Sequence, residues 1–272
     1  MQRTLVVMLV TVGSAIASAQ PSTVDPIAPA SGEPRVEAYP KRLVDRPVLL
    51  PEGAIDVPFG FRFGNDNSAL FESELRIATP VFELHAGFSY QLSERPSTDS
   101  HWAALYARGL REIVPCRAPG LAAGVQVAAF HLGGDRPGFS PSLLALYKRK
   151  LARAIAIQPS ASIGYDYGQG FDEVMVAEGN IHQLDGALAF ALQLQASAAW
   201  AFELAPSVRY YQDLSDKNAR YGIGSHSEQR LELAVLWAMT PNADFRFVYG
   251  RTHHSFEFAS DGIALLLNIR RI

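Results

Sequence analysis

The chain has 272 residues and a formal net charge of −3, with 48% hydrophobic and 19% charged residues. It has neither a basic domain nor a block rich in Lys and Arg, which argues against a nucleic-acid partner. Its single cysteine, Cys116, excludes an intramolecular disulfide and a cysteine-based zinc site, and we expect this thiol in a turn beside Pro115.

The first residues have the pattern of a secretory signal peptide. Arg3 forms a short positive region, an apolar stretch runs from Leu5 to Ile16, and Ala17-Ser18-Ala19 is a cleavage site of small residues. The apolar stretch is too short to span a bilayer core, which takes about 20 residues. We therefore expect residues 1–19 to be cleaved on export. No later stretch has the length and apolarity of a transmembrane helix.

Residues 20–52 are rich in Pro, Ser and charge and show no apolar periodicity. This composition predicts a disordered leader in the periplasm. The part from Tyr39 to Pro51 carries aliphatic residues that would otherwise be left in water, so we expect it to dock at the mouth of the folded domain.

From residue 53 onward, apolar and polar residues alternate with period two, as in β-strands. The first strand has Ile55, Val57, Phe59, Phe61 and Phe63 in its apolar phase. Similar segments follow at 82–90, 183–194, 200–210, 230–239, 244–249 and 263–270. Segments 102–113 and 142–150 alternate poorly, and we predict strands there mainly because the strand count requires them.

The connections alternate between tight turns and longer polar links. We predict turns at 79–80, 115–120, 151–153, 196–199 and 240–243, and longer links at 64–68, 92–100, 133–140, 168–178, 212–227 and 252–260. Outer-membrane barrels have short periplasmic turns and longer extracellular loops. The order therefore predicts an all-β, closed, antiparallel transmembrane barrel over residues 53–272, with about twelve strands, or ten as the alternative.

A soluble periplasmic β-sandwich that binds a ligand would also show alternation. The barrel is favoured by strands of about 10 residues, the length of a tilted transmembrane strand. It is also favoured by charged and amide side chains on the polar face, and by aromatic residues near strand ends, where headgroups lie. The aromatic set is Phe63, Tyr90, Trp102, Tyr165, Tyr167, Trp200, Tyr210, Tyr211 and Tyr249.

The signal peptide, leader, alternating strands and loop order together resemble the outer-membrane β-barrel proteins of diderm bacteria. The segment from Arg46 to Gly53 is similar to the lead-in of uncharacterised porin-like barrels. The resemblance implies an outer-membrane location, contact with its lipid and passage of small solutes, with the oligomeric state left open. Members of this class typically end in an aromatic residue. This chain ends in Ile272, which is out of phase with the alternation from Ile263 to Ile269.

The polar phase of the strands places charged side chains inside the barrel. The lumen-lining candidates are Arg62, Arg76, Glu83, Glu203, Arg209, Arg230, Glu232 and Arg246, and Asp56, His85, Asp166, Asp185 and Arg270 share their phase. A barrel of this size is expected to have a narrow or partly plugged lumen. The charges either form a constriction that selects solutes or pair into a network that fills the barrel. The first interpretation predicts a narrow pore and the second a structural or surface-exposed protein, neither of them an enzyme.

A different class of function is suggested by Arg251-Thr252-His253-His254-Ser255, at the outer end of the penultimate strand. A His that takes a proton from a Ser hydroxyl is the minimum for hydrolysis of a lipid ester. The spacing of His253 and Ser255 resembles that of outer-membrane lipid A deacylases. In that family an Asn follows the Ser, whereas Phe256 follows here, so a hydrophilic loop is the alternative interpretation.

The other histidines are scattered singly, and Gly133-Gly134-Asp135 has the pattern of a turn and not of a phosphate-binding loop. The sequence therefore predicts neither a metal site nor a cofactor.

Overall fold

The computed structural model describes residues 39–65, 68–92, 102–113, 120–130, 138–169, 180–214, 225–254 and 260–272. The predicted signal peptide, residues 20–38 of the leader, Cys116 and Ser255 lie outside these ranges. Within them, no helix has the length and apolarity needed to cross a membrane.

The described residues form thirteen strands and one short 3-10 helix at Leu43–Asp45. The strands are β1 (Ile55–Gly64), β2 (Ala69–Ala78), β3 (Glu83–Gln91), β4 (Trp102–Glu112), β5 (Leu121–Phe130), β6 (Gly138–Tyr147), β7 (Arg149–Ala152), β8 (Ile155–Gln169), β9 (Asn180–Gln195), β10 (Trp200–Asp213), β11 (His226–Thr240), β12 (Ala243–His254) and β13 (Ser260–Arg271).

The strands pair into one antiparallel sheet that closes on itself. Strand β1 pairs with β13 from Ile55 opposite Arg271 to Gly64 opposite Gly262. Strands β6 and β7 both pair with β8 and are separated only by Lys148, so together they act as one wall strand. The result is a closed twelve-strand barrel with one extra short strand, as predicted. The β-sandwich hypothesis was wrong, because all strands of the described residues belong to one sheet that closes on itself.

The two faces of the barrel are inverted relative to a soluble protein. Large apolar side chains are exposed outside, with Leu143 at 60% and Leu188 at 62% exposure. Charged side chains are buried inside, with Glu83 at 1%. Water-soluble proteins bury apolar residues and expose charged ones. An apolar outer belt around a polar interior is the surface of a barrel that spans a membrane.

Most predicted elements match the structure, with corrections at their ends. The weakly alternating segments form β4 and β6–β7. Strand β6 already begins at Gly138 and β12 continues to His254, so the predicted links 133–140 and 252–260 were too long. Tyr211 is only 1% exposed, so its place in the headgroup belt was wrong. Neighbouring strand residues point to opposite faces, and Tyr210 is the one that points outward.

Two inward glycines allow neighbouring strands to approach closely. A Cβ atom on Gly60 would lie 1.9 Å from the carbonyl oxygen of Leu265 on β13. A Cβ atom on Gly124 would lie 1.9 Å from the carbonyl oxygen of Gly109 on β4. Glycine inside a strand marks a tight bend or a close backbone approach. Gly60 therefore permits the β1–β13 pairing that closes the barrel.

Residues 39–54, which we call the plug, lie inside the barrel at the end where the tight turns and both described chain ends meet. The plug crosses this opening before the chain enters β1. Its buried residues Leu43, Val48 and Leu50 pack against the wall, and the amide of buried Val44 donates to Gln195 Oε1 at 3.4 Å. The aliphatic residues of the leader are thus buried in the lumen itself.

Candidate functional site

The plug is held by three small apolar clusters on different parts of the wall. The first packs Val48 against Leu110, Ala122, Leu144 and Leu146. The second packs Leu43 against Ala201 and Leu236. The third contains Tyr39, Leu50, Ala54 and Ala78, with Ile272 packed against it. Because these contacts come from strands on several sides of the barrel, the plug spans the cross-section instead of lying along one side.

Arg46 is the charged anchor of the plug and is only 2% exposed. Its Nη1 donates to Asp244 Oδ2 at 2.7 Å. Its Nε and Nη2 donate to the carbonyl oxygens of Pro40, at 3.0 Å, and Lys41, at 3.1 Å. The guanidinium therefore binds one wall carboxylate and also fixes the turn of its own segment.

Asp244 connects the plug to the wall network. It also accepts from Arg270 Nη2 at 2.5 Å and from Asn268 Nδ2 at 2.8 Å. Arg270 Nε lies 3.1 Å from Asp56 Oδ1, and Asp56 Oδ2 lies 3.7 Å from Arg76 Nη1. Burial of these charges is tolerated because each contacts an opposite charge.

The network continues along β2 and β3 and returns to the plug. Arg76 Nε donates to Glu74 Oε1 at 2.6 Å. His85 lies between two carboxylates, with Nδ1 2.5 Å from Glu74 Oε1 and Nε2 2.7 Å from Glu83 Oε1. Glu83 Oε2 accepts from the plug amide of Leu50 at 2.5 Å. The plug is therefore connected to both ends of this chain of charges.

Tyr39 packs under the plug anchor, with its ring centroid 5.6 Å from the Arg46 guanidinium and 4.9 Å from that of Arg270. Burial raises the pKa of Tyr39 to about 12. The folded chain thus holds this phenol proton more tightly than the unfolded chain, whose ordinary value is 10.0. The stability that Tyr39 contributes is therefore fully present below pH 10, the pKa of the unfolded chain, and is lost as the pH rises through about 12, the pKa of the folded chain.

We expect the wild type to lose up to about 2–3 kcal/mol of unfolding free energy over this window through Tyr39. Other groups titrate here too, so the measurement is the difference between wild type and Tyr39→Phe in thermal unfolding across the window. Tyr39→Phe should lose less stability than wild type. Identical pH profiles would contradict the burial of a neutral phenol.

All eight lumen candidates lie on the inward face. Arg62, Arg76, Glu83, Glu203, Glu232 and Arg246 are buried, and Arg209 and Arg230 are half-buried. Inward groups outside this set also take part in the contacts, namely Arg46, Glu72, Glu74, Gln193, Asp244 and Asn268. Strand alternation could have predicted that Glu74 and Asp244 face inward, because each lies two residues from a candidate, Arg76 or Arg246. No alternation could have predicted Arg46, because it lies in the plug.

Above the plug, two ion-pair groups occupy the middle of the lumen. Glu203 accepts from Arg246 and, at 2.9 Å, from Gln193 Nε2. Next to this group on the same side of the barrel, Arg62 Nε lies 3.1 Å from Glu72 Oε1, and its Nη1 lies 3.9 Å from Glu232. Arg230 also contacts Glu232. The middle of the lumen is therefore charged but internally neutralised.

The extracellular half has one wall of small inward residues. Ser142, Ser160, Ser162 and Ser207 are half-buried on β6, β8 and β10, as are Ala187 and Ala189 on β9. Inward residues nearer the plug on the same strands, such as Ala156 and Gln193, have almost no exposure. Water therefore reaches this wall from the extracellular side and is excluded at the plug.

His253 is exposed on the outward face of β12. Its partner in the hydrolase hypothesis, Ser255, lies outside the described residues. In the part of the chain that is described, no three or more His, Cys, Asp or Glu side chains are grouped to hold a metal ion.

No protein-family model matches the sequence, and no curated protein matches it. Solved structures do resemble the fold. An outer membrane channel of Pseudomonas putida F1 has a TM-score of 0.55 at 11% identity, over 82% of this chain and 97% of that chain. The fold is that of an outer-membrane β-barrel.

Two further barrels support the same conclusion. The NanC porin has a TM-score of 0.51 at 10% identity, over 79% of this chain and 98% of that chain. The translocator domain of the autotransporter NalP from Neisseria meningitidis has a TM-score of 0.52 at 11% identity, over 82% of this chain and 90% of that chain. The apolar belt and this shared fold together place the chain in the outer membrane.

Proposed function

We propose that the chain is a narrow, non-catalytic outer-membrane pore for small solutes, closed at its periplasmic end by the plug. The observation that carries this proposal is that the lumen is blocked by a segment outside the wall. Residues 39–54 precede β1 and contribute no strand to the barrel. A barrel built only for rigidity has no need of a separate closing segment.

The plug is held by few contacts, which can break when it leaves the lumen. It is held by three clusters of few apolar residues, one buried ion pair and a few hydrogen bonds, including Lys148 Nζ to the carbonyl oxygen of Leu43 at 2.8 Å. Among the described residues, its backbone–backbone hydrogen bonds to a strand are confined to Gly53 and Ala54, which bond to Ala78 at the end of β2. Movement of the plug therefore leaves the strand pairing of the barrel intact.

The eight lumen candidates give this pore its selectivity in our proposal. Arg62, Arg230 and Glu232 stand where a solute passes from the water-accessible wall to the plug. Paired opposite charges in a narrow passage favour small polar solutes and oppose large or apolar ones, because a solute must replace the contacts that it breaks. Outer-membrane lipid contacts the apolar belt.

Planar-bilayer recording of the purified chain tests the proposal. The wild type should give small, brief current steps, because the plug blocks the lumen most of the time. Val48→Asp places a charge in the apolar cluster with Leu110 and Leu144, so its steps should be larger and longer. Lys41→Asp is the control, because Lys41 is exposed and its variant should behave like the wild type.

Each protein is first checked for heat-modifiable migration on a detergent gel, which reports a closed barrel. If folded Val48→Asp passes no current above bare lipid, the pore is refuted. The chain is then a filled barrel with a structural or surface role.

A further inference from the structure

Asp166 and Asp185 are two carboxylates that face each other in the extracellular half of the lumen. They lie on neighbouring strands β8 and β9, where Asp185 pairs with Gly164 and Asp166 pairs with Gln183. Asp166 is 4% exposed and Asp185 is 3% exposed. Diagonal inward neighbours on adjacent strands are close enough for their side chains to meet.

Three of their four carboxylate oxygens have no hydrogen-bond donor within the described ranges. Asp185 Oδ2 accepts from Arg209 Nε at 2.9 Å, whereas Asp185 Oδ1 and both oxygens of Asp166 are buried without a partner. The hydroxyl of Ser140 faces Asp166 without forming a regular hydrogen bond to it. Buried carboxylate oxygens without donors are costly.

Gly164 shapes the space between the two carboxylates. A Cβ atom at Gly164 would lie 2.4 Å from Asp185 Oδ1 and 3.0 Å from the Cβ of Ser142 on β6. Asp185 Oδ1 therefore lies across the β8 backbone, on the side where Asp166 and β6 are. Any larger residue at position 164 would push this oxygen away.

The buried hydroxyl of Tyr211 is a second, independent observation that points to a ligand beside the two aspartates. It is 1% exposed, pairs with Asp185 in the strand register, and its hydroxyl has no partner among the residues described. Its ring is fixed by the Arg209 guanidinium 5.0 Å from the centroid and by the His226 ring at 4.4 Å. This fixed phenol, beside Asp185 on the neighbouring strand, adds a fourth oxygen without a partner among the described residues.

We propose that Asp166 and Asp185, with the hydroxyls of Tyr211 and Ser140, bind a small metal cation on the extracellular side of the plug. Among the described residues, Arg209 is the cation that contacts these two carboxylates, and it is already bonded to Asp185. The group therefore has surplus negative charge and oxygen ligands, which hard cations such as Ca²⁺ and Mg²⁺ prefer. The inference does not depend on conduction.

The small number of carboxylates sets the strength of binding. Affinity for Ca²⁺ decreases as the number of charged ligands decreases, and weak extracellular sites have dissociation constants of about 10⁻⁴–10⁻³ M. We expect this range here. A free metal ion fits the almost complete burial of the oxygens better than the ammonium group of a larger solute.

Calorimetric titration of the purified full-length chain in detergent with CaCl₂, and separately with MgCl₂, tests the proposal. The wild type should bind one ion per chain. Asp166→Asn removes one ligand charge and should weaken binding on the order of ten-fold or more. Tyr211→Phe, which keeps the ring, should weaken it less. The matched control is Asp261→Asn, since Asp261 contacts Tyr249 on the outward face of β12 and β13, and its variant should bind like the wild type.

Titration with methylammonium chloride separates a metal site from an ammonium site. Binding of methylammonium without either metal would overturn the metal inference. No metal uptake by the wild type, or equal uptake by heat-modifiable Asp166→Asn, would overturn the site as a whole. None of these results depends on whether the plug opens.

Discussion

Gly60→Ala should abolish formation of the closed barrel. The new Cβ would lie 1.9 Å from the carbonyl oxygen of Leu265 and 2.8 Å from the Cα of Leu266. Both atoms belong to the backbone, so neither can rotate away as a side chain would. The β1–β13 pairing must shift or break, and this pairing closes the sheet. We expect a loss above the ~4–5 kcal/mol that marks exceptional substitutions.

The measurement is the fraction of chain that migrates as the compact, heat-modifiable form after refolding into detergent. Gly109→Ala is the matched control, because its Cβ would meet only Leu84 Cδ2, at an ordinary 3.9 Å. Gly87→Ala should fall between the two, since the Tyr106 ring that it meets can move. Equal yields of Gly60→Ala and Gly109→Ala would show that strand closure tolerates a side chain here.

Much of the fold could be predicted because alternate residues of a barrel strand face lipid and the charged lumen, so most strands alternate between apolar and polar residues. The alternation fails at 102–113 and 142–150 for a physical reason. The inward residues Leu110, Leu144 and Leu146 form the wall against which Val48 of the plug packs. Apolar side chains on both faces remove the contrast on which the pattern depends. The weakly alternating strands β4 and β6 thus include the wall residues that hold Val48 of the plug.

The plug also accounts for the inward phase of Ile272. Ile272 is out of phase with the outward residues of β13 and is half-buried against the cluster of Tyr39 and Leu50. The plug itself has no periodic signal, because it forms only one short 3-10 helix and is held by single side chains. Its aliphatic content indicated docking, but nothing in the sequence indicated which wall residues it contacts.

For the lumen charges, the sequence predicted which face each side chain is on but not which partner it contacts. Strand phase put all eight candidates inside, because a polar residue two positions from another shares its face. Their partners could not be predicted, since the contacts skip strands. Arg246 on β12 reaches Glu203 on β10 across β11, and Arg62 on β1 reaches Glu232 on β11 across two strands. Such contacts depend on barrel curvature and on side-chain length.

Arg46→Ala should release the plug while the barrel stays folded. Asp244 keeps Arg270 and Asn268 as partners in this variant, so the wall is not left with an isolated charge. The plug loses its buried ion pair and the two bonds that fix its turn. Hydrogen bonds to charged groups are worth about 1.5–3 kcal/mol each. The upper value corresponds to ~100-fold in the ratio of displaced to seated plug, at about 1.4 kcal/mol for each ten-fold.

Two measurements check this expectation on the same samples. Trypsin should cut after Lys41 and Arg42 faster in Arg46→Ala than in wild type, because the displaced segment is accessible, and bilayer current steps should last longer. Arg46→Lys should be intermediate, since one ammonium keeps the charge but cannot reach Asp244 and both carbonyl oxygens with the geometry of the guanidinium fork. Faster proteolysis without longer current steps would mean that the charged layer of Glu203, Arg246 and Glu232 also closes the lumen. Unchanged proteolysis would mean that the apolar clusters alone seat the plug.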